Sequence, residues 1–191
     1  MDFETIISIF LGIGLSASVG FRVFLPLFAL SLATYFNVWE LNENWIWIGS
    51  TTAVITLGVA TIIEIFAYYI PVVDNVLDTI NIPLATVAGT VVMVSTVADL
   101  SPVITWALAI IAGGGTAATI KGTTSVTRLG STVSTAGFGN PIVSTIETGT
   151  SIVMSIISIF IPVLAIILVF VIFWIVFKLY KKLKSSKAKP S

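Results

Sequence analysis

The chain has 191 residues, 57% of them hydrophobic and only 9% charged, where a soluble domain has roughly a quarter of its residues charged. Nine bases cancel nine acids, and both cysteine and histidine are absent. This excludes disulfides, thiolate chemistry, haem ligation through histidine, zinc sites built on His or Cys, and a serine intramembrane protease that needs a histidine base. No cofactor, no metal and no nucleic-acid partner is expected. An enzyme is not expected either, for want of a catalytic constellation.

Apolar runs long enough to cross a hydrocarbon core of about 30 Å recur along the chain. They predict an all-α, polytopic transmembrane bundle of five to six spans. The first run, 5–36, would be about 48 Å long as one straight helix, well beyond the bilayer core. Its middle reads "GIGLSASVGFRVFLP", where Gly20, Arg22 and Pro26 cluster, so a broken or re-entrant helix is expected near 16–26. Two half-helices, roughly 4–17 and 25–36, then form either a hairpin or a kinked span. The two arrangements put the N-terminus on opposite faces.

Next, "NVWELNENWIW" carries two acids, no base and Trp39, Trp45 and Trp47, as an outer head-group loop would. A span over 46–70 follows, with Glu64 towards its inner end, and Pro71 stops it. In "VVDNVLDTINIP" the apolar Val73, Val76, Leu77 and Ile80 oppose Asp74, Asn75 and Asp78. That spacing predicts a short amphipathic helix at the inner interface, its acidic face solvated or turned to protein. Spans over 84–98 and 102–120 are joined by "ADLSP", with Asp99 as a turn or cap residue. Lys121 and Arg128 mark an inner region that holds "RLGSTVSTAGFGNP" (128–141). The forty residues from 141 to 180 would make a helix of about 60 Å, so the chain must break near 147–151 or at Pro162.

Six of the nine bases (Lys178, Lys181, Lys182, Lys184, Lys187 and Lys189) lie in the last fourteen positions. The positive-inside rule makes this end cytoplasmic, touching anionic lipid head groups. Residues 1–180 form one transmembrane domain and 181–191 a basic tail.

"ASVGFRVFLP" (17–26) and "STAGFGNP" (134–141) share a hydroxyl-small-Gly-Phe core that runs on to a proline. Both fit a glycine-mediated break followed by a restarted helix, which predicts a second broken or re-entrant segment near 130–141. Paired interrupted helices point to a transporter site, because half-helix N-termini offer unpaired amides and a positive dipole end. The plainer reading is a cytoplasmic loop over the bundle. Gly12, Ser16 and Gly20, like Ala109, Gly113 and Ala117, recur every four residues and suit close helix packing.

Arg22 has no other charge within fifteen positions. A charge in the bilayer costs at least about 2.5–3.5 kcal/mol, so Arg22 should face the interior, with Glu64 its leading partner. Such a pair can also be purely structural. The candidate ion- or substrate-binding residues are Gly20, Arg22, Glu64, Asp74, Asp78, Gly137, Asn140 and Glu147.

"GFRVFLPL", "GVATIIEIFAYYIPVVDNVLD", "ADLSP" and "LGSTVSTAGFGNP", in this order, resemble a family of bacterial integral membrane proteins catalogued only as a domain of unknown function. The resemblance covers nearly the whole chain and implies an inner-membrane protein, with no activity to carry over. The residues themselves point to a small transporter or channel-like protein moving a small ion or polar solute through a site formed by the two breaks. It is expected to work as a homodimer through its small-residue faces. A scramblase-type groove and a non-transporting scaffold or assembly factor are the alternatives.

Overall fold

The computed structural model describes residues 2–70, 73–98 and 100–187. Small residues decide how its helices meet. On α1 (Phe3–Phe21), a Cβ added at Gly12 would lie 2.5 Å from Met93 Sδ, one at Gly20 2.5 Å from Ile120 Cβ, and one at Gly14 would collide with Ser158 Oγ. These close approaches let α1 run through the middle of the bundle, against α4 (Val73–Thr96), α6 (Gly115–Thr135), α7 (Asn140–Phe160) and α8 (Pro162–Lys187). Gly113 meets Gly89 backbone to backbone in the same way. The stripes expected to pair two copies are therefore spent within one chain.

Among the described residues all regular structure is helical. Burial is inverted relative to a water-soluble protein: Ser16, Ser18, Ser151 and Arg22 are buried, while Ile55, Val59, Ile62 and Phe66 of one helix face outwards. Phe3–Phe21, Val76–Thr96, Pro102–Thr135 and Asn140–Phe160 are each long and apolar enough to cross a membrane. A bent pair, Glu43–Gly49 and Thr51–Ala67, makes a fifth, and Phe24–Tyr35 and Pro162–Lys178 are shorter apolar helices. The chain is a polytopic helical membrane protein.

The first break lies where glycine and arginine predicted it. α1 stops at Phe21, Arg22 is extended (φ −136°, ψ 130°), and α2 (Phe24–Tyr35) restarts with Pro26 in its first turn. The two helices form a hairpin, which decides between the two arrangements left open by the sequence. Ser8 near the start of α1 accepts from the Ala98 amide at 3.2 Å. Beyond α2, the Asn42 amide donates to the Ser95 carbonyl (3.1 Å) and Trp39 Nε1 to the Ile159 carbonyl (2.8 Å). The start of α1, the end of α2 and the far ends of α4 and α7 thus share one end of the bundle, the tryptophan end. Arg22 lies towards the opposite end.

Several expected boundaries move. The 46–70 span is bent by 62° between a 3-10 segment (Glu43–Gly49) and α3 (Thr51–Ala67), because Ser50 leaves the helix to cap α3 through Ala53 N. The amphipathic segment is no separate helix. It forms the first turns of α4, which carries on past Pro83, as spanning helices with close neighbours allow. α5 (Pro102–Leu108), a π segment (Ala109–Gly114) and α6 run on as 34 residues rather than ending near 120. Thr123, Thr127 and Thr132 bond their hydroxyls back to helix carbonyls, so polar composition does not end α6. The long C-terminal run breaks at Pro162 and not at 147–151.

The second expected break is of a different kind. α6 ends in Ala136 (φ 51°) and Gly137 (φ 88°), and α7 begins at Asn140 with Pro141 in its first turn. This is a tight turn joining two full-length helices at the end of the bundle, with Val133 and Phe138 each 87% exposed. Ser18–Phe21, by contrast, are helical. The four matched positions therefore adopt different backbones, and the apparent repeat is not a structural one. Asp99 lies outside the described residues.

Candidate functional site

Three bases and four acids are buried together at the end of the bundle away from the tryptophans: Arg22, Lys121, Arg128, Glu64, Asp74, Asp78 and Glu147. The three bases are 0% exposed. Helical spacing assembles them. Lys121 and Arg128, two turns apart, share one face of α6, and Ser144, Glu147, Ser151, Ser155 and Ser158 follow three- and four-residue steps down one face of α7.

Tyr68, just past α3, stands at the centre. The guanidinium carbons of Arg22 and Arg128 lie 4.1 and 4.5 Å from its ring centroid, and Lys121 Nζ lies at 4.8 Å. Its hydroxyl accepts from Lys121 Nζ and Asn81 Nδ2, both at 2.7 Å, and donates to Asp78 Oδ1 at 3.1 Å. Asp78 also faces Lys121 Nζ (3.3 Å) and Arg128 Nε (3.0 Å). Glu147 Oε2 takes Arg128 Nη2 and lies 3.6 Å from Arg22 Nη1. Ser144 ties these groups to α7: its carbonyl accepts from Arg22 Nη2 (2.9 Å), and its hydroxyl accepts from Arg128 Nη1 (2.9 Å) and donates to the Tyr68 carbonyl.

Glu64 has another task. Its two carboxylate oxygens accept from the amides of Val23 and Phe24 at 2.8 and 2.9 Å. It thereby satisfies two amides left open where the helix restarts, and its charge favours the positive end of α2. Asp74 accepts from Asn140 Nδ2 at 2.6 Å, and Asn140 also reaches Thr132. From the cluster a hydroxyl ladder climbs between α1 and α7, with Ser18 Oγ at 2.8–2.9 Å from the hydroxyls of Ser151 and Ser155.

Residues 9–182 match the family DUF4126, described as a domain of unknown function. The chain belongs to that family. No curated protein and no solved structure matches it. Every member of the charge cluster falls inside the DUF4126 match.

Of the residues singled out from the sequence of this DUF4126 protein, Arg22, Glu64, Asp74, Asp78, Asn140 and Glu147 are brought together. Asp74 and Asp78 of the acidic face are turned to protein, not solvated; the side chain of Asn75 lies outside the described residues. Gly20 and Gly137 contribute no side chain to the cluster. Gly20 serves the packing of α1 on Ile120, and Gly137 sits in an open turn, where a Cβ would meet nothing within 4 Å. Arg22 is ion-paired with Glu147 rather than Glu64, because Glu64 is drawn to the α2 amides.

Tyr68, Lys121, Arg128 and Ser144 are members that sequence reasoning missed. The seven-residue spacing of the two bases was a usable signal, but both read as markers of topology. Among the described residues no group of three or more His, Cys, Asp or Glu is placed to hold a metal ion. A concavity of about 550 Å³ lies at the tryptophan end between Asn42, Trp45, Trp47 and Trp106, and no ionisable side chain among the described residues lines it. The charge cluster and this space are thus at opposite ends.

Proposed function

We propose that this protein is a small integral membrane transporter or channel-like protein, not an enzyme, that moves a small ion or polar solute by way of the charge cluster below the α1–α2 break. One observation carries the reading: three bases are wholly buried in a bundle with very few charges. Each buried charge costs at least about 2.5–3.5 kcal/mol on insertion scales. Stability alone does not call for such a cluster, since apolar residues of like volume serve as well or better. The hydroxyl ladder from Ser151 to Ser155 supports the reading by extending polar groups from the cluster towards the tryptophan end.

We take the cluster end to be the cytoplasmic side of a bacterial inner membrane, because the lysine-rich tail follows α8 towards that end. A dimer, expected from the small-residue stripes, then has to form on other faces.

The test is flux in liposomes. Purified protein is reconstituted and challenged with a panel of monovalent and divalent ions, beside Arg22→Ala. Flux above that of empty vesicles, abolished in a folded Arg22→Ala protein, supports the proposal. If no solute moves and Arg22→Ala only lowers the unfolding temperature, a scaffold role replaces it. Movement of fluorescent lipid without ion flux would favour the scramblase alternative.

A further inference from the structure

Glu147 is the acid of the ion-paired set that uses only one of its two oxygens. It sits on α7 between Arg22 of α1 and Arg128 of α6, and its Oε2 serves both. Although the residue is only 4% exposed, its Oε1 has no hydrogen-bond partner, and neither has Arg22 Nη1. Glu147 also lines a crevice of about 190 Å³ between α6 and α7, with Phe21, Thr124, Thr127 and Thr150. Each of these threonine hydroxyls donates to a helix carbonyl (Lys121, Thr123 and Ile146 respectively), so each oxygen keeps only acceptor capacity. Val143 and Ile146 complete the lining, so the walls are largely apolar and the few acceptor oxygens beside the carboxylate are the points at which water could deliver a proton.

The charge balance gives that proton a consequence. Asp78 and Glu147 are ion-paired with three bases, Arg22, Lys121 and Arg128. Glu64 is engaged by the α2 amides and Asp74 by Asn140. The charged groups around Glu147 are Arg128 and Lys121 on α6, Arg22 on α1 and Asp78 on α4. α2 contributes no charge, and Lys178 of α8 is stacked on its own Trp174. The seven buried groups carry three bases and four acids, so a proton on Glu147 brings them to neutrality while it removes the one carboxylate that stands between Arg22 and Arg128. Arg22 then has no carboxylate within ion-pair distance, and Arg128 keeps only Asp78. A buried guanidinium without its carboxylate needs a new partner, and the single negative charge lost from between Arg22 and Arg128 is replaced by one monovalent anion.

We propose that Glu147 is a proton-operated counterion: when protonated it yields Arg22 and Arg128 to a monovalent anion of halide, nitrate or small-carboxylate size, so that proton and anion bind together. The inference deepens the transport reading and rests on it for movement, but binding is measurable without it. The balance is one H⁺ and one X⁻ taken up, with net charge unchanged.

The experiment is equilibrium binding of radiolabelled chloride to the full chain in detergent, with thermal unfolding run in parallel to establish folding. Coupling to one proton predicts that chloride affinity weakens about tenfold for each pH unit above the titration of Glu147. Glu147→Gln is expected to bind chloride equally at acidic and alkaline pH, and Arg22→Gln to bind none. Nitrate and acetate should compete with chloride, and sulfate should not. Chloride affinity independent of pH in the wild type overturns the proposal, as does a folded Glu147→Gln that binds none. Should Glu147→Gln fail to fold, the wild-type pH slope and Arg22→Gln decide the matter. Anion binding without flux would leave this inference standing and sink transport, whereas flux of another solute without anion binding would do the reverse.

Discussion

Tyr68→Phe deletes one oxygen and leaves the ring, so it separates the two ways in which Tyr68 holds the cluster. In the native structure that oxygen accepts from Lys121 and Asn81 and donates to Asp78. Without it, the Asn81 amide and the Lys121 ammonium each lose an acceptor where water is excluded. A buried group orphaned in this way costs about 1–3 kcal/mol, more when charged. Lys121 keeps Asp78 at 3.3 Å, which limits the loss. Together these give about 3–5 kcal/mol of destabilisation for Tyr68→Phe, large beside the usual effect of a point substitution. The assay is reversible unfolding in mixed micelles with increasing SDS, followed by tryptophan fluorescence. A sharper test adds Lys121→Met, which removes the stranded ammonium. Its cost in the Tyr68→Phe background should be about 1–2 kcal/mol smaller than in the wild type. A Tyr68→Phe protein within about 0.5 kcal/mol of wild type, or additive costs in the double variant, would refute the central role given to the hydroxyl.

Glu64→Gln should destabilise by about 2–4 kcal/mol, because the carboxamide has one acceptor oxygen for two amides and turns a donor towards the second. Hydrogen exchange at Val23 and Phe24 should accelerate together, and unchanged protection there would dismiss the capping role. Gly20→Val should cost at least about 1–3 kcal/mol by driving a side chain into Ile120, read as a lowered unfolding temperature. Gly137→Ala, at φ 88° but in open space, should cost only about 1 kcal/mol and leave any flux intact, so equal losses at the two glycines would contradict the packing described.

Legibility from the sequence followed what each signal reports. Arg22 could be read because a lone guanidinium in apolar surroundings must face inwards, and the break beside it because Gly20 and Pro26 flank it. Its partner could not be read: Glu64 and Glu147 were both within plausible reach, and only the demand of the α2 amides for a carboxylate decided between them. The turn at 136–139 stood between two readings, since glycine, small hydroxyls and proline spell a loop between helices as readily as a break inside one. Nothing local distinguished the two, because the difference lies in where α6 ends. Lys121 and Arg128 went unrecognised for a related reason. Bases near the end of a span usually stay wet, and these are buried only because α6 continues as helix through its threonines and carries both inwards against Tyr68. Tyr68 itself had no signal beyond its place next to the proline stop.

The hairpin of α1 and α2 returns the chain to the side from which it started, while α8 ends on the other. The first turn of α1 and the last turns of α8 therefore lie at opposite ends of the bundle. A second copy of the gene joined directly behind the first would start its own hairpin on the wrong side and thread upside down, unless an added crossing restored the orientation. A reporter placed ahead of α1 and one placed behind α8 are accordingly expected to sample different compartments.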